Sequence, residues 1–256
     1  MEDSQRTRRR FLTRMVAGSG SMLLAGCQRL SEAAWLPDAL SVGEKLSQRA
    51  LQWVGRRALA QEFTPADLSP FFRSNGTSDP GTAAYGALAA NGFRDYVLDA
   101  GGLVTTPRSF TLEELKALPS RTQITRHDCV EGWSAIAKWQ GVRLSAVLDA
   151  LKPAPSARFV VFHCADPMEA DGTGFYYESI DLDDANHEQT ILAYALNDAP
   201  LPVANGAPIR LRVERQLGYK HAKYVMLIEL VAAFAHIAGG KGGYWEDNGY
   251  QWFAGI

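Results

Sequence analysis

Arg126-His127-Asp128-Cys129-Val130-Glu131-Gly132-Trp133-Ser134 follows a stretch, Arg121 to Thr125, that reads as a strand. Trp139-Gln140-Gly141-Val142 comes after it, and then an amphipathic helix. The run sets one thiol among basic and aromatic side chains. In that setting the thiol is expected to ionise readily, and the thiolate is the form that binds soft metals. By residue type alone, an isolated cysteine reads first as a small buried hydrophobe, so the rest of the chain has to decide.

Length and composition fit one compact enzyme domain. The 256 residues, 46% hydrophobic and 10% aromatic, are enough to bury a large core or two small ones. A net charge of −2 gives no support for nucleic acid or another polyanion as partner. Three cysteines, Cys27, Cys129 and Cys164, are too few for a disulfide framework.

Residues 1–27 read as an address. Thr7-Arg8-Arg9-Arg10-Phe11-Leu12 is a twin-arginine pattern, followed by a weakly apolar stretch from Met15 to Gly26 that is too short for an ordinary membrane span. Leu23-Leu24-Ala25-Gly26-Cys27 has the form of a lipobox, with Cys27 as the lipidated residue. The expected location is therefore the periplasm, with a lipid contact to the membrane. Residues 28–62 read as a tether and an amphipathic helix, because Val42, Leu46, Ala50, Trp53 and Val54 recur at helical spacing.

From residue 63 to 256 the elements are mixed. Thr111 to Leu118 opens with a capping box, Thr111 as N-cap and Glu114 three residues on. Leu144 to Leu151 reads as a helix stopped by Pro153, and Ile191 to Leu196 as a short helix. Strands are expected at Tyr96-Val97-Leu98, Arg158 to Phe162, Ile209 to Val213 and Tyr224 to Leu230. Strands and helices do not alternate strictly, so an α+β fold with a mixed sheet is expected.

Cys129-Val130-Glu131-Gly132-Trp133-Ser134 resembles the metal-ligand segment of the sulfite oxidase family of molybdenum enzymes, in its bacterial, haem-free branch. The resemblance extends from about Phe71 to Ile256. It implies a molybdopterin-binding domain in which one pterin's dithiolene and Cys129 hold the metal, and an oxygen atom moves to or from substrate.

Other runs carry the resemblance further. Asn205-Gly206-Ala207-Pro208-Ile209-Arg210 and Gly218-Tyr219-Lys220-His221-Ala222-Lys223 are similar to the family's pterin-phosphate site. Read by charge alone they are a solvated basic strand edge. Arg210 supplies a planar fork and Lys223 a point charge, and at thirteen residues apart they can converge on one anion. Phe71-Phe72-Arg73-Ser74-Asn75-Gly76-Thr77 is a turn by its own chemistry and a pterin contact by resemblance. The resemblance thus assigns Arg73, Asn75, Thr77, Arg126, His127, Asn205, Arg210, Lys220 and Lys223 to the cofactor, and Cys129 to the metal. It assigns a catalytic tyrosine to Tyr176 or Tyr177 without choosing between them. Gly242 to Trp252 is an aromatic segment that either screens the site or ties down the terminus; packing is the simpler reading.

Charge bears on the substrate. Sulfite oxidases carry an arginine five residues after the ligand cysteine, where this chain has Ser134. A pocket with fewer cations suits a neutral sulfoxide or N-oxide, because an unpaired buried charge is costly. The expectation is a monomeric oxidoreductase that reduces sulfoxides with electrons from a membrane cytochrome. The alternatives are sulfite oxidation, and a metal-free lipid-anchored binding module or thiol protein in which Cys129 pairs with Cys164.

Overall fold

The computed structural model describes Trp35, Val42, Gly43, Leu46 and residues 58–256. The chain divides into two units, Met1–Gly55 and Arg56–Ile256, and all described residues but those four belong to the second. The export signal, the lipobox and most of the tether lie outside the described residues.

In chain order the first elements are α1 (Ala83–Ala90), β1 (Val97–Gly102), β2 (Arg108–Thr111), α2 (Leu112–Ala117), β3 (Ser120–Cys129), β4 (Trp133–Arg143) and α3 (Leu144–Leu151). They are followed by β5 (Phe159–Pro167), β6 (Phe175–Asp181), α4 (Leu182–Ala185), β7 (Ile191–Leu196), β8 (Ala199–Pro200), β9 (Arg210–Arg212), β10 (Val225–Val231) and α5 (Tyr244–Asp247). Among the described residues the strands form two sheets. One has the order β2-β1-β10-β5-β6, and the other β3-β4-β7-β8 with β9 paired to β7. The first sheet is mixed, since β1 and β10 run parallel while its other pairs are antiparallel. The α+β expectation holds.

Local chemistry explains the helices. Thr111 Oγ1 accepts from Glu114 N at 3.2 Å while Glu114 Oε2 accepts from Thr111 N at 2.8 Å, so two orphan donors at the start of α2 are satisfied reciprocally. In α3 the helical spacing of Leu144, Val147, Leu148 and Leu151 turns all four into one core with Val160, Phe162 and Ile228. Lys152 then enters the left-handed region at φ 55° and Pro153 prevents continuation. Each fully buried aliphatic side chain contributes about 1.5–3 kcal/mol.

One element differs from its sequence reading. Ile191–Leu196 is not a helix but the strand β7, paired with β4, β8 and β9. Six apolar residues in a row fit a fully buried strand as well as a buried helical turn, and pairing on both edges decides the matter.

Candidate active site

The ligand candidate sits at the tip of a hairpin. β3 runs on past Thr125 to Cys129 itself, which pairs with Trp133, leaving Val130, Glu131 and Gly132 as the turn. Gly132 takes φ +87° and its N–H donates to Cys129 O at 3.0 Å, a three-residue turn whose left-handed position favours glycine. Because strand side chains alternate, Gln123, Thr125, His127 and Cys129 turn inward. Arg126 turns outward, is exposed, and pairs with Asp128 at 2.9 Å. Its place is a separate shallow groove with Ala60, Phe63 and Ile256, so the geometry does not bring it to Cys129.

Cys129 opens into a cleft of about 180 Å³. Asn75, Thr77, Tyr176 and Lys223, all expected in the site, line the same cleft. The thiol is 8% exposed, and burial pushes its pKa up; the Glu131 backbone, Arg210 and Arg73 offset this only in part. The expected ready ionisation is therefore not a property of the free thiol. Cys129 and Cys164 are both buried free thiols, not a disulfide.

The two tyrosines point to different places, as neighbours on a strand must. Tyr176 lines the cleft and its hydroxyl donates to Tyr219 O at 2.5 Å. Tyr177 packs with Val161 and Val231 and donates to Asp247 Oδ2 at 2.5 Å.

The four buried lysines and arginines among the described residues divide into two kinds. Arg212 is matched by Glu214 (Nε–Oε1 2.9 Å, Nη2–Oε2 2.5 Å). Lys220 is fully buried between Glu178 (2.5 Å) and Glu246 (2.6 Å). It was expected at the cofactor, but two carboxylates already hold it. Arg210 and Lys223 instead donate to backbone carbonyls: Arg210 to Asn205 O at 3.1 Å and His221 O at 3.3 Å, Lys223 to Asn75 O at 2.7 Å, Ala204 O at 3.2 Å and Thr77 O. Burial first, then the neighbouring guanidinium, carries Arg210 down to about 9 and Lys223 to about 7. Gly206, at φ +105°, lies against both: a Cβ there would stand 2.9 Å from Lys223 Cβ and 3.1 Å from Arg210 Cβ. The stems of the two cations thus converge at Gly206, the Arg210 charge bears on Lys223, and their hydrogen bonds go to neutral carbonyls.

The remaining expected residues surround this point. Asn205 is buried, and its Nδ2 has no partner. His127 is 1% exposed and well below its ordinary pKa through burial and Arg212, so its neutral ring accepts from Arg212 Nη1 at Nδ1 (2.9 Å). The Nε2–H is left free and aimed past Gly218, where a Cβ would come within 2.5 Å of it. Arg73 is exposed, 5.9 Å over the Trp133 ring, beside the cysteine rather than in the cleft. The loop carrying Asn75 and Thr77 is fastened by its carbonyls to Lys223 and, at 3.0 Å, to the Tyr224 hydroxyl.

Glu131, Asp166, Met168, His221, Trp245 and Tyr250 also line the cleft. No sequence signal marked Asp166, which reaches the cleft from the end of β5. Trp245 and Tyr250 lay within the aromatic segment read as packing, and their aromatic density was the one available signal.

Arg210 and Lys223 match a phosphate, which would supply the missing negative charge. Around them, buried atoms without partners offer donors (His127 Nε2, Asn205 Nδ2, Arg210 Nε) and acceptors (Asn75 Oδ1, Asp166 Oδ1). Buried polar atoms are nearly always paired, so this set fits a polar heterocycle carrying a phosphate, such as molybdopterin, with Cys129 as a soft donor to its metal.

Comparison with known proteins agrees with that chemistry. Residues 86–236 match the oxidoreductase molybdopterin-binding domain family. A putative protein-methionine-sulfoxide reductase subunit of Azospira oryzae is 36% identical over 255 residues, covering 97% of this chain and 87% of that protein. A protein-methionine-sulfoxide reductase catalytic subunit of Xanthomonas axonopodis pv. citri is 32% identical over 258 residues, covering 96% and 74%. The crystal structure of the sulfane dehydrogenase SoxCD from Paracoccus pantotrophus aligns with a TM-score of 0.48 and 20% identity over 69% of this chain and 46% of that one. By its match over residues 86–236, which include Cys129, Arg210 and Lys223, and by relatives spanning nearly its whole length, the chain belongs to the molybdopterin-binding oxidoreductase family.

Proposed function

We propose that this protein is the catalytic subunit of an exported methionine-sulfoxide reductase, acting in the periplasm with electrons from a membrane redox partner. The observation that carries this reading is the charge of the cleft. Its lining includes two acids, Glu131 and Asp166, and one lysine, Lys223, whose ammonium is already shared among three carbonyls. Ser134, where sulfite oxidases place an arginine, is tied to Asp128 at 2.5 Å. With Lys223 taken by the cofactor's phosphate, a compact anion would meet the two acids and no further lysine or arginine among these lining residues, whereas a neutral sulfoxide brings no charge to desolvate. The names of the two relatives support the same substrate class.

The molybdenum cofactor supplies two-electron oxygen-atom exchange when bound. The chain's own part is to hold it: Cys129 as metal ligand, Arg210 and Lys223 on the phosphate, His127, Asn75 and Asn205 on the remaining polar edge. Tyr176 lines the cleft with its hydroxyl held on Tyr219 O, and burial makes that hydroxyl still harder to ionise than an ordinary tyrosine's. It is placed to donate a hydrogen bond to a substrate oxygen in exchange for its bond to Tyr219 O. The twin-arginine pattern and lipobox support export of the loaded protein and a lipid anchor at Cys27. One preparation, assayed for metal content, for dye-driven reduction of methionine sulfoxide and for sulfite oxidation, tests the reading. Efficient sulfite oxidation without sulfoxide reduction overturns it.

A further inference from the structure

We infer that the stacked pair Trp245 and Tyr250 is the specificity-determining wall of the cleft, receiving the alkyl arm of the sulfoxide. This rests on the reductase reading above and names the residues that would select its substrate.

The two residues belong to the aromatic segment at the end of the chain, which the rest of the fold already anchors by other side chains. Glu246 is bound by Lys220 at 2.6 Å. Asp247 accepts from the Tyr177 hydroxyl at 2.5 Å and from the backbone N–H groups of Gly239 and Lys241 at 2.9 Å. Trp252 donates to Ser179 Oγ at 2.8 Å and its ring lies against Phe159 and Phe234. Trp245 also packs on the core beside Tyr244, but neither Trp245 nor Tyr250 supplies these polar anchors, and both line the cleft together with Cys129.

Their geometry makes a surface. The Trp245 and Tyr250 rings stack at 5.3 Å with an interplanar angle of 29°, and Tyr219 meets Tyr250 edge-on at 5.2 Å. Tyr219 in turn donates to Gln251 O at 2.7 Å, which fixes the segment just after Tyr250. The polar residues that fit the cofactor form a separate group, Asn75 and Thr77 gathered on Lys223. The cleft therefore has a polar group of residues and an aromatic one. A sulfoxide has the same division: a polar S=O to present to the metal, and two carbon arms that gain by leaving water for an aromatic face. Tyr250 remains 39% exposed, so the wall begins at the rim, where the arm of a residue carried on a larger substrate would enter.

Steady-state kinetics on methionine sulfoxide with the cofactor-loaded enzyme decides the matter. Trp245→Ser and Tyr250→Ser should each raise KM about tenfold, the scale at which apolar pockets discriminate. The expected kcat stays within about twofold, with metal content and thermal midpoint near wild type. Trp245→Phe and Tyr250→Phe should restore KM. Should Trp245→Ser fail to fold, the rim variant Tyr250→Ser decides alone. Unchanged KM in the folded serine variants, a fall in kcat without a change in KM, or no rescue by phenylalanine overturns the inference while leaving the reductase reading intact. A wild-type enzyme that oxidises sulfite and ignores sulfoxides removes both.

Discussion

Lys223 gives the sharpest test of how the site is built, because its cost without cofactor should appear as a pH effect on stability. It is 6% exposed and its pKa falls from 10.5 to about 7, with burial as the largest cause and Arg210 next. The unfolded chain therefore holds a proton on this lysine over a range in which the folded apoprotein has released it. Stability must rise with pH across that range, starting near pH 7. At about 1.4 kcal/mol per tenfold, the gain for the apoprotein between roughly pH 7 and pH 9 is about 2 kcal/mol. A phosphate bound between Arg210 and Lys223 would keep the ammonium charged, so the loaded protein should lose this rise. The assay is denaturant unfolding of apo and loaded protein at both pH values, with Lys223→Met as reference. The methionine variant should lack the apo rise and stay cofactor-poor. If apoprotein and Lys223→Met show the same pH dependence, Lys223 is not a strained cation awaiting an anion.

Cys129→Ser exchanges a soft donor for a harder one and should abolish turnover while the far-UV and near-UV circular dichroism remain native; full activity would remove thiolate ligation. Lys220→Met leaves Glu178 and Glu246 buried without their cation, so unfolding free energy should drop by about 3–5 kcal/mol. The fraction that folds should load cofactor normally, and a cofactor-poor but fully stable variant would return Lys220 to the binding site. Replacing Arg8 and Arg9 together by Lys should hold the folded protein in the cytoplasm, read by fractionation; normal export of that variant refutes the twin-arginine signal.

What the sequence made legible depended on the range of the interaction involved. The capping box at Thr111 and Glu114 and the apolar stripe of α3 are local patterns, and both appear as expected. Cys129 stood out because its neighbours carry a family signature, yet its pKa did not follow from them, since the burial that raises it is tertiary. Alternation alone separates His127 from Arg126, once it is known which face is inward; Tyr176 and Tyr177 are both buried, and only knowing which face the cleft lies on tells them apart. Lys220 and Lys223 could not be told apart in this way. What distinguishes them is Glu178, 42 residues before Lys220, and Glu246, 26 residues after it, and no local pattern announces such partners. β7 was misread because six apolar residues carry no period by themselves.

The hairpin that presents Cys129 makes the identity of the donor a question of parity. His127 and Cys129 face inward, Arg126 and Asp128 outward, along a strand paired residue by residue with β4 from Ser120 to Cys129. Losing or gaining one residue in β3 would exchange the two sets, offering the cleft a carboxylate in place of a thiol and an exposed arginine's position in place of the buried histidine. Changes of length near this centre are therefore tolerable in pairs, or in the Val130-Glu131-Gly132 turn, where they move the tip without inverting the faces. Which donor atom the strand presents to the cleft is thus written into an even or odd count of residues as much as into the cysteine itself.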